Sequence, residues 1–103
     1  MAKVYAMYKV PADPAAFDRY YYATHVPIAK KIPGLRHYEV TTGNVMMVLG
    51  GASPYHLIAT LTFDSVAAVQ TALASPEGQA TAADLGNFAT AGVDLFMADT
   101  KTV

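Results

Sequence analysis

Between Phe17 and Val40 the chain reads FDRYYYATHVPIAKKIPGLRHYEV, and no other stretch gathers so many groups able to bind or move a proton. His25 is the leading candidate. A neutral imidazole accepts a proton near pH 7. Pro27, two places on, lacks the N–H that a regular helix needs, so a kink there could free backbone groups toward a cleft. The same ring could instead cap a frayed helix end by bonding a carbonyl. Tyr38 follows in a strand-like segment, with Arg36 and Val40 on its face and His37 and Glu39 on the other. Its hydroxyl could donate to a ligand oxygen while the ring stacks on an apolar skeleton; a core tyrosine bonded to backbone is the alternative. His56 starts another strand on the face opposite Leu57 and Phe63, and it is either a ligand contact or an exposed histidine at a turn. Tyr8, inside the first strand-like run, is either a cleft wall or core. Tyr20, Tyr21 and Tyr22 sweep about 200° of a helix at about 100° per residue, so they divide between core and surface.

Several chemistries are excluded by what is missing. The chain has no cysteine, which removes disulfides, thiolate metal sites and cysteine nucleophiles. Two candidate histidines without a carboxylate cluster fall short of a three-ligand catalytic metal site, and no haem-attachment motif is present. No serine stands in a Gly-x-Ser-x-Gly elbow, and no glycine-rich nucleotide motif supports nicotinamide chemistry. No cofactor and no metal are therefore expected. Asp84 could orient a histidine across the fold or simply be solvated. The formal net charge is -1 and the seven basic residues are scattered, so a nucleic-acid footprint is absent. No apolar run approaches the roughly 20 residues of a membrane span, and the first residues read as strand rather than signal segment. A cytoplasmic protein is expected.

These residues need a scaffold, and the pattern supplies one within a single domain over 1–103. Lys3 to Val10 is apolar in both alternating sets, which suits a strand covered on both faces. Asp13-Pro14 opens a helix with a buried stripe of Phe17, Tyr20, Tyr21, Thr24 and Ile28, ending near Thr24 or His25. Leu35 to Thr41, His56 to Phe63 and Val93 to Asp99 are further strands. Ser65 caps a helix that breaks at Ser75-Pro76 and resumes to about Phe88. Thr42 to Tyr55 reads as a short extra strand or as an apolar loop lying on a partner. The order β-α-β-β-α-β predicts a ferredoxin-like α+β plait, a four-stranded antiparallel sheet with helices on one face. With 53% hydrophobic and 15% charged residues, the open sheet face is too apolar for water, and a second copy is its expected cover. The homodimer would be a dimeric α+β barrel, with His56 pointing toward the barrel mouth.

The runs Phe17-x-x-Tyr20-Tyr21-x-x-x-His25-x-Pro27 and Pro33-Gly34-Leu35-x-x-Tyr38 resemble the EthD family of dimeric α+β barrel proteins. Tyr55-His56-Leu57-Ile58, Phe63-Asp64-Ser65 and Ser75-Pro76-Glu77-Gly78, with Asp84, Asn87 and Phe88 behind them, extend the resemblance over nearly the whole chain. It implies relatives tied to ether degradation, a methylmuconolactone isomerase, and cofactor-free monooxygenases and cyclases; members are often called reductases. In the isomerase a histidine and a tyrosine at the positions of His25 and Tyr38 line the active site. The expected function is a cofactor-independent enzyme moving a proton on an apolar, oxygen-bearing lactone, phenol or quinone-like compound held in the barrel cleft. His25 and Tyr38 would be catalytic; His56 and Tyr8 would contact the ligand. The alternatives are a non-catalytic accessory protein of an oxidative degradation system and a structural dimer module.

Overall fold

A computed structural model describes the chain from Met1 to Val103. Its elements run β1 (Ala2–Lys9), α1 (Pro14–Tyr20), a π-helical turn (Tyr21–His25), α2 (Val26–Ala29), β2 (His37–Val40), β3 (Tyr55–Phe63), α3 (Val66–Ala74), α4 (Pro76–Phe88) and β4 (Val93–Asp99). The strands form one antiparallel sheet in the order β2-β3-β1-β4, the ferredoxin-like plait that the element order predicts. β1 and β3 are the two inner strands, and the apolar residues in both alternating sets of β1 suit that place. It pairs with β3 from Ala2↔Phe63 to Tyr8↔Leu57, and with β4 from Ala2↔Asp99 to Tyr8↔Val93.

Directly paired residues share a face. One face therefore carries Ala2, Val4, Ala6 and Tyr8 beside Leu57, Ala59, Leu61 and Phe63, with Tyr38 and Val40 at the β2 edge. This face holds the core under the helices. The opposite face carries Tyr5, Met7, Ile58, Thr60 and Phe96, and no helix of the chain covers it.

The first helical segment keeps one straight row of buried residues through an irregular backbone. Asp13 caps α1 by accepting from the Ala16 N–H at 3.1 Å, and Pro14 stands in the first turn, where no N–H is needed. At four-residue spacing an α-helical row drifts about 40° per step, so three steps would turn it about 120° from the sheet. Here the N–H of Val26 bonds to the carbonyl of Tyr21, five residues back, and the wider turn takes up the extra residue. Phe17, Tyr21, His25 and Ala29 stay on the core side, with exposures of 5%, 0%, 3% and 1%. The expected stripe through Tyr20, Thr24 and Ile28 is thus displaced, and the helix passes Pro27 instead of ending before it.

Ser75 forms the joint between α3 and α4. Its hydroxyl donates to the Ala72 carbonyl and accepts from the Gly78 N–H. Gly78 lets the two helices meet closely, since a Cβ there would lie 2.1 Å from the Ala72 carbonyl oxygen. No strand forms between Thr41 and Pro54. A single bridge, Met46↔Ala52, closes a loop whose tip turns through a Gly50 N–H to Met47 carbonyl bond of 3.0 Å.

Two glycines of α4 make opposite predictions. Gly78→Ala forces the α3–α4 joint apart and should destabilise by about 1–3 kcal/mol, whereas Gly86→Ala meets no atom within 4 Å and should stabilise by about 0.5–1 kcal/mol. Urea unfolding of both variants checks this, and equal effects would refute the packing described.

Candidate active site

Asp84, on the inner side of α4, is 6% exposed and His25 is 3% exposed. A carboxylate so deeply placed needs donors, and it has three. Oδ1 accepts from the Tyr20 hydroxyl at 2.6 Å and from the Asn87 amide at 3.0 Å, while Oδ2 lies 2.8 Å from His25 Nδ1. Burial alone would raise the Asp84 pKa, but the bonds from Tyr20, Asn87 and His25 outweigh it and hold the carboxyl below its ordinary 3.8. An ionised carboxylate only accepts, so the His25 proton resides on Nδ1 and the lone pair on Nε2.

Burial also sets the state of His25. Its pKa lies below the ordinary 6.5 because desolvation disfavours the imidazolium, offset in part by the bond to Asp84 and its charge. The ring packs on Phe88 at 4.6 Å between centroids and on Tyr21 at 5.4 Å. Nε2 has no protein partner. Because no fully buried side-chain polar atom lacks one, Nε2 opens onto accessible space.

That space is a cavity of about 280 Å³ between the sheet and the helices, bordered by His25, Tyr8, Tyr21, Tyr38, Leu61 and Thr81. Nearly all the rest of its lining is aliphatic or aromatic. The cavity lies within one chain, on the helix-covered face of the sheet. Tyr38 shares that face with its partner Leu61, and its hydroxyl lies 2.6 Å from that of Tyr21. Burial raises the pKa values of Tyr8, Tyr21 and Tyr38 above 10, so all three remain phenols at neutral pH. Tyr8 is core and cavity wall at once, with its ring edge-on to Phe17 and Tyr21.

The structure thus brings His25, Tyr38 and Tyr8 together and leaves His56 apart. The β1–β3 register slips between Tyr8↔Leu57 and Lys9↔Tyr55, so His56 is the unpaired residue and does not follow the alternation that would aim it at a barrel mouth. It turns to α1 instead, where Nε2 lies 2.8 Å from Asp18 Oδ1 and the ring meets Phe17 edge-on. Asp18, Tyr22, Thr41, Asn44 and His56 border a separate polar hollow of about 180 Å³. Asp84 stands in the sequence as a possible orienter of a histidine, whereas Tyr20, Tyr21 and Asn87 stand there only as stripe or resemblance residues, with no sign that they meet the site. The Asp84-x-x-Asn87 spacing, which sets both on one helical face, was the available signal.

Comparison with known proteins agrees with this architecture. The EthD domain matches residues 9–92. The chain belongs to the EthD family. It is 41% identical over 103 residues to an uncharacterised 11.0 kDa protein of the thcB–thcC intergenic region of Rhodococcus erythropolis, covering 100% of this chain and 98% of that one. An EthD (ethyl tert-butyl ether D) family protein from Bacillus halodurans superposes with a TM-score of 0.88 at 33% identity, over 98% of this chain and 99% of its own. Two more distant structures share the fold alone. SnoaB, a cofactor-independent oxygenase from Streptomyces nogalater, gives a TM-score of 0.68 at 15% identity, over 99% and 94% of the two chains. A dimeric ferredoxin-like protein from Jannaschia gives 0.68 at 16%, over 96% and 98%. No helix of this EthD protein is long and apolar enough to cross a membrane.

The depressed histidine pKa carries a sign. Below about pH 6.5 the unfolded chain takes up a proton at this position that the folded chain resists, so stability is retained above that pH and falls as the solution is acidified. His25→Gln should flatten the stability profile between about pH 5 and 6.5. An NMR titration of His25 with a midpoint at or above 6.5 would contradict the assignment.

Proposed function

We propose that this EthD protein is a cofactor-independent enzyme that moves a proton on an apolar, oxygen-bearing small molecule of the lactone, phenol or quinone-like class. The observation that carries the reading is the unpartnered Nε2 of a neutral, carboxylate-backed histidine beside an apolar cavity. Nε2 takes a proton from a carbon or hydroxyl next to a carbonyl. The imidazolium that results is held by Asp84, and the electron pair moves to the substrate oxygen. Tyr38, kept a phenol by burial, donates to that oxygen. Return of the proton to a different atom completes an isomerisation or cyclisation with no other reactant. Oxygen insertion would use the same anion with dioxygen as co-substrate, converting a substrate CH2 to a carbonyl while the second oxygen leaves as water with the two hydrogens of that carbon. SnoaB, which shares the fold, is a cofactor-independent oxygenase.

An accessory, non-catalytic role needs the cavity and explains the buried Asp84 as a structural joint, but it does not call for an unpartnered Nε2 beside that cavity. The dyad therefore favours the enzymatic reading. The assembly that fits is a homodimer through the open sheet face, whose Tyr5, Met7, Ile58 and Phe96 a second copy would cover.

Two measurements test these statements. A thermal-shift screen with small lactones, phenols, quinones and aromatic ketones should find a ligand; at 100 times its dissociation constant it stabilises by about 2.7 kcal/mol. With that ligand as substrate, His25→Gln should lose about 10²–10⁴-fold in kcat while the thermal shift persists. Unchanged turnover in the variant would end the proton-transfer role. Sedimentation equilibrium should give the mass of two chains at micromolar concentration, and a folded monomer there would remove the dimer.

A further inference from the structure

Two groups of apolar side chains on this molecule have no cover within the chain, and they lie at opposite edges of the sheet. One is the tip of the loop between β2 and β3, where Met46 is 78%, Val48 99% and Leu49 100% exposed. The other borders the cavity at β4, where Leu95 is 53%, Phe96 57% and Met97 45% exposed, with Leu73 of α3 at 41% beside them.

The tip is a built feature. The Met46↔Ala52 bridge draws its two sides together, and the turn from Met47 to Gly50 presents Val48 and Leu49 outward. Gly50 and Gly51 both hold positive φ, 94° and 98°, which other residues rarely adopt. The β4 edge is equally distinctive. Natural edge strands are usually guarded by a charge or a proline; β4 has Asp94 and Asp99 near its two ends, and between them Leu95 to Ala98 is an uncharged apolar run. Leu95, Phe96 and Met97 line the cavity and are also exposed, so its apolar lining reaches the surface at this edge, which serves as its mouth.

The loop leaves the sheet at β2, and the mouth lies at β4, with β3 and β1 between them. One chain cannot bring its own tip to its own mouth without crossing the sheet. A two-fold axis can bring each tip to the other copy's mouth, because it sets opposite edges of two identical sheets side by side and makes every contact twice. The two patches match in chemistry, both aliphatic with thioether side chains, and Phe96 makes the mouth continuous with the open sheet face.

We propose that the Met46–Leu49 tip of one protomer closes the cavity mouth of its partner, so that the site bordered by His25 and Tyr38 is complete only in the dimer. Leu49 and Val48 would sit against Leu73, Leu95 and Met97 of the other copy and exclude water from the cavity. The functional part of this statement rests on the proposed proton-transfer reading, but the contact itself does not.

The absence of cysteine makes a trapping experiment clean. Chains carrying Leu49→Cys and chains carrying Leu95→Cys, with different affinity tags, are mixed, allowed to exchange and oxidised. Both positions are exposed, and circular dichroism of each variant verifies the fold. The expected result is a disulfide-linked dimer of one chain of each kind in the mixture, with no covalent dimer from either variant alone. A covalent dimer from Leu49→Cys alone would place tip against tip and overturn the proposal, as would one from Leu95→Cys alone. Failure to cross-link in the mixture would overturn it too. None of these outcomes depends on turnover, so loss of the enzymatic reading would leave the contact standing, and loss of the contact would leave the His25 experiment intact.

Discussion

The structure depends on one buried negative charge. Asp84 has left water, and an uncompensated carboxylate in that position would cost several kcal/mol. Its compensation comes from Tyr20 and His25 on the first helical segment and from Asn87 on its own helix. Only when α4 lies against that segment are all three donors in reach, so the charge fixes where the helices sit over the sheet. The same arrangement selects the histidine tautomer. Structural and chemical roles are therefore carried by one set of bonds, and relaxing the packing would also remove the preference for the Nδ1 tautomer.

The local irregularities of the chain serve this arrangement. The π turn holds Tyr21 and His25 in the buried row that begins at Phe17, and it presents the phenol and the imidazole to one cavity. Tyr21 links the two chemical groups, its ring tilted against that of His25 and its hydroxyl bonded to Tyr38. The low polarity of the lining strengthens every electrostatic interaction made inside it. An apolar pocket with few polar groups converging on it is the form expected of a small-molecule site. The polar hollow at His56 is its counterpart on the other side of α1, built from a second histidine–aspartate pair that the register slip produces.

Much of the fold was legible in the sequence, because it follows from local rules. The two-sided apolar pattern of Lys3 to Val10 marks a central strand, and Asp13, Ser65 and Ser75 mark helix starts that each carry a capping bond. The site was legible in part. His25, Tyr38 and Tyr8 could be singled out by type and pattern, but which face each one uses depends on register and on helical phase. One extra residue in the π turn displaced the expected stripe, and one unpaired residue in β3 turned His56 away from its alternation. The Asp84 contact joins positions 59 residues apart, and no periodicity reports a contact of that range. The cavity beneath the helices had no cue of its own, because residues from all four strands and from the helices border it and only the tertiary fold brings them together.

The pairing of Ala2 with Asp99 bears on how the protein is made. β1 is synthesised before the other strands of its sheet, yet its neighbours are β3 and β4, which emerge after β2. At about 5–20 residues per second, β1 waits roughly 5–20 s for its final partner. Through that interval a strand apolar on both faces has no lasting cover, and non-local pairing of this kind closes slowly even when the chain is complete. The nascent EthD chain is thus most vulnerable to aggregation through its first eight-residue strand, and holding that segment is where a chaperone would have the greatest effect.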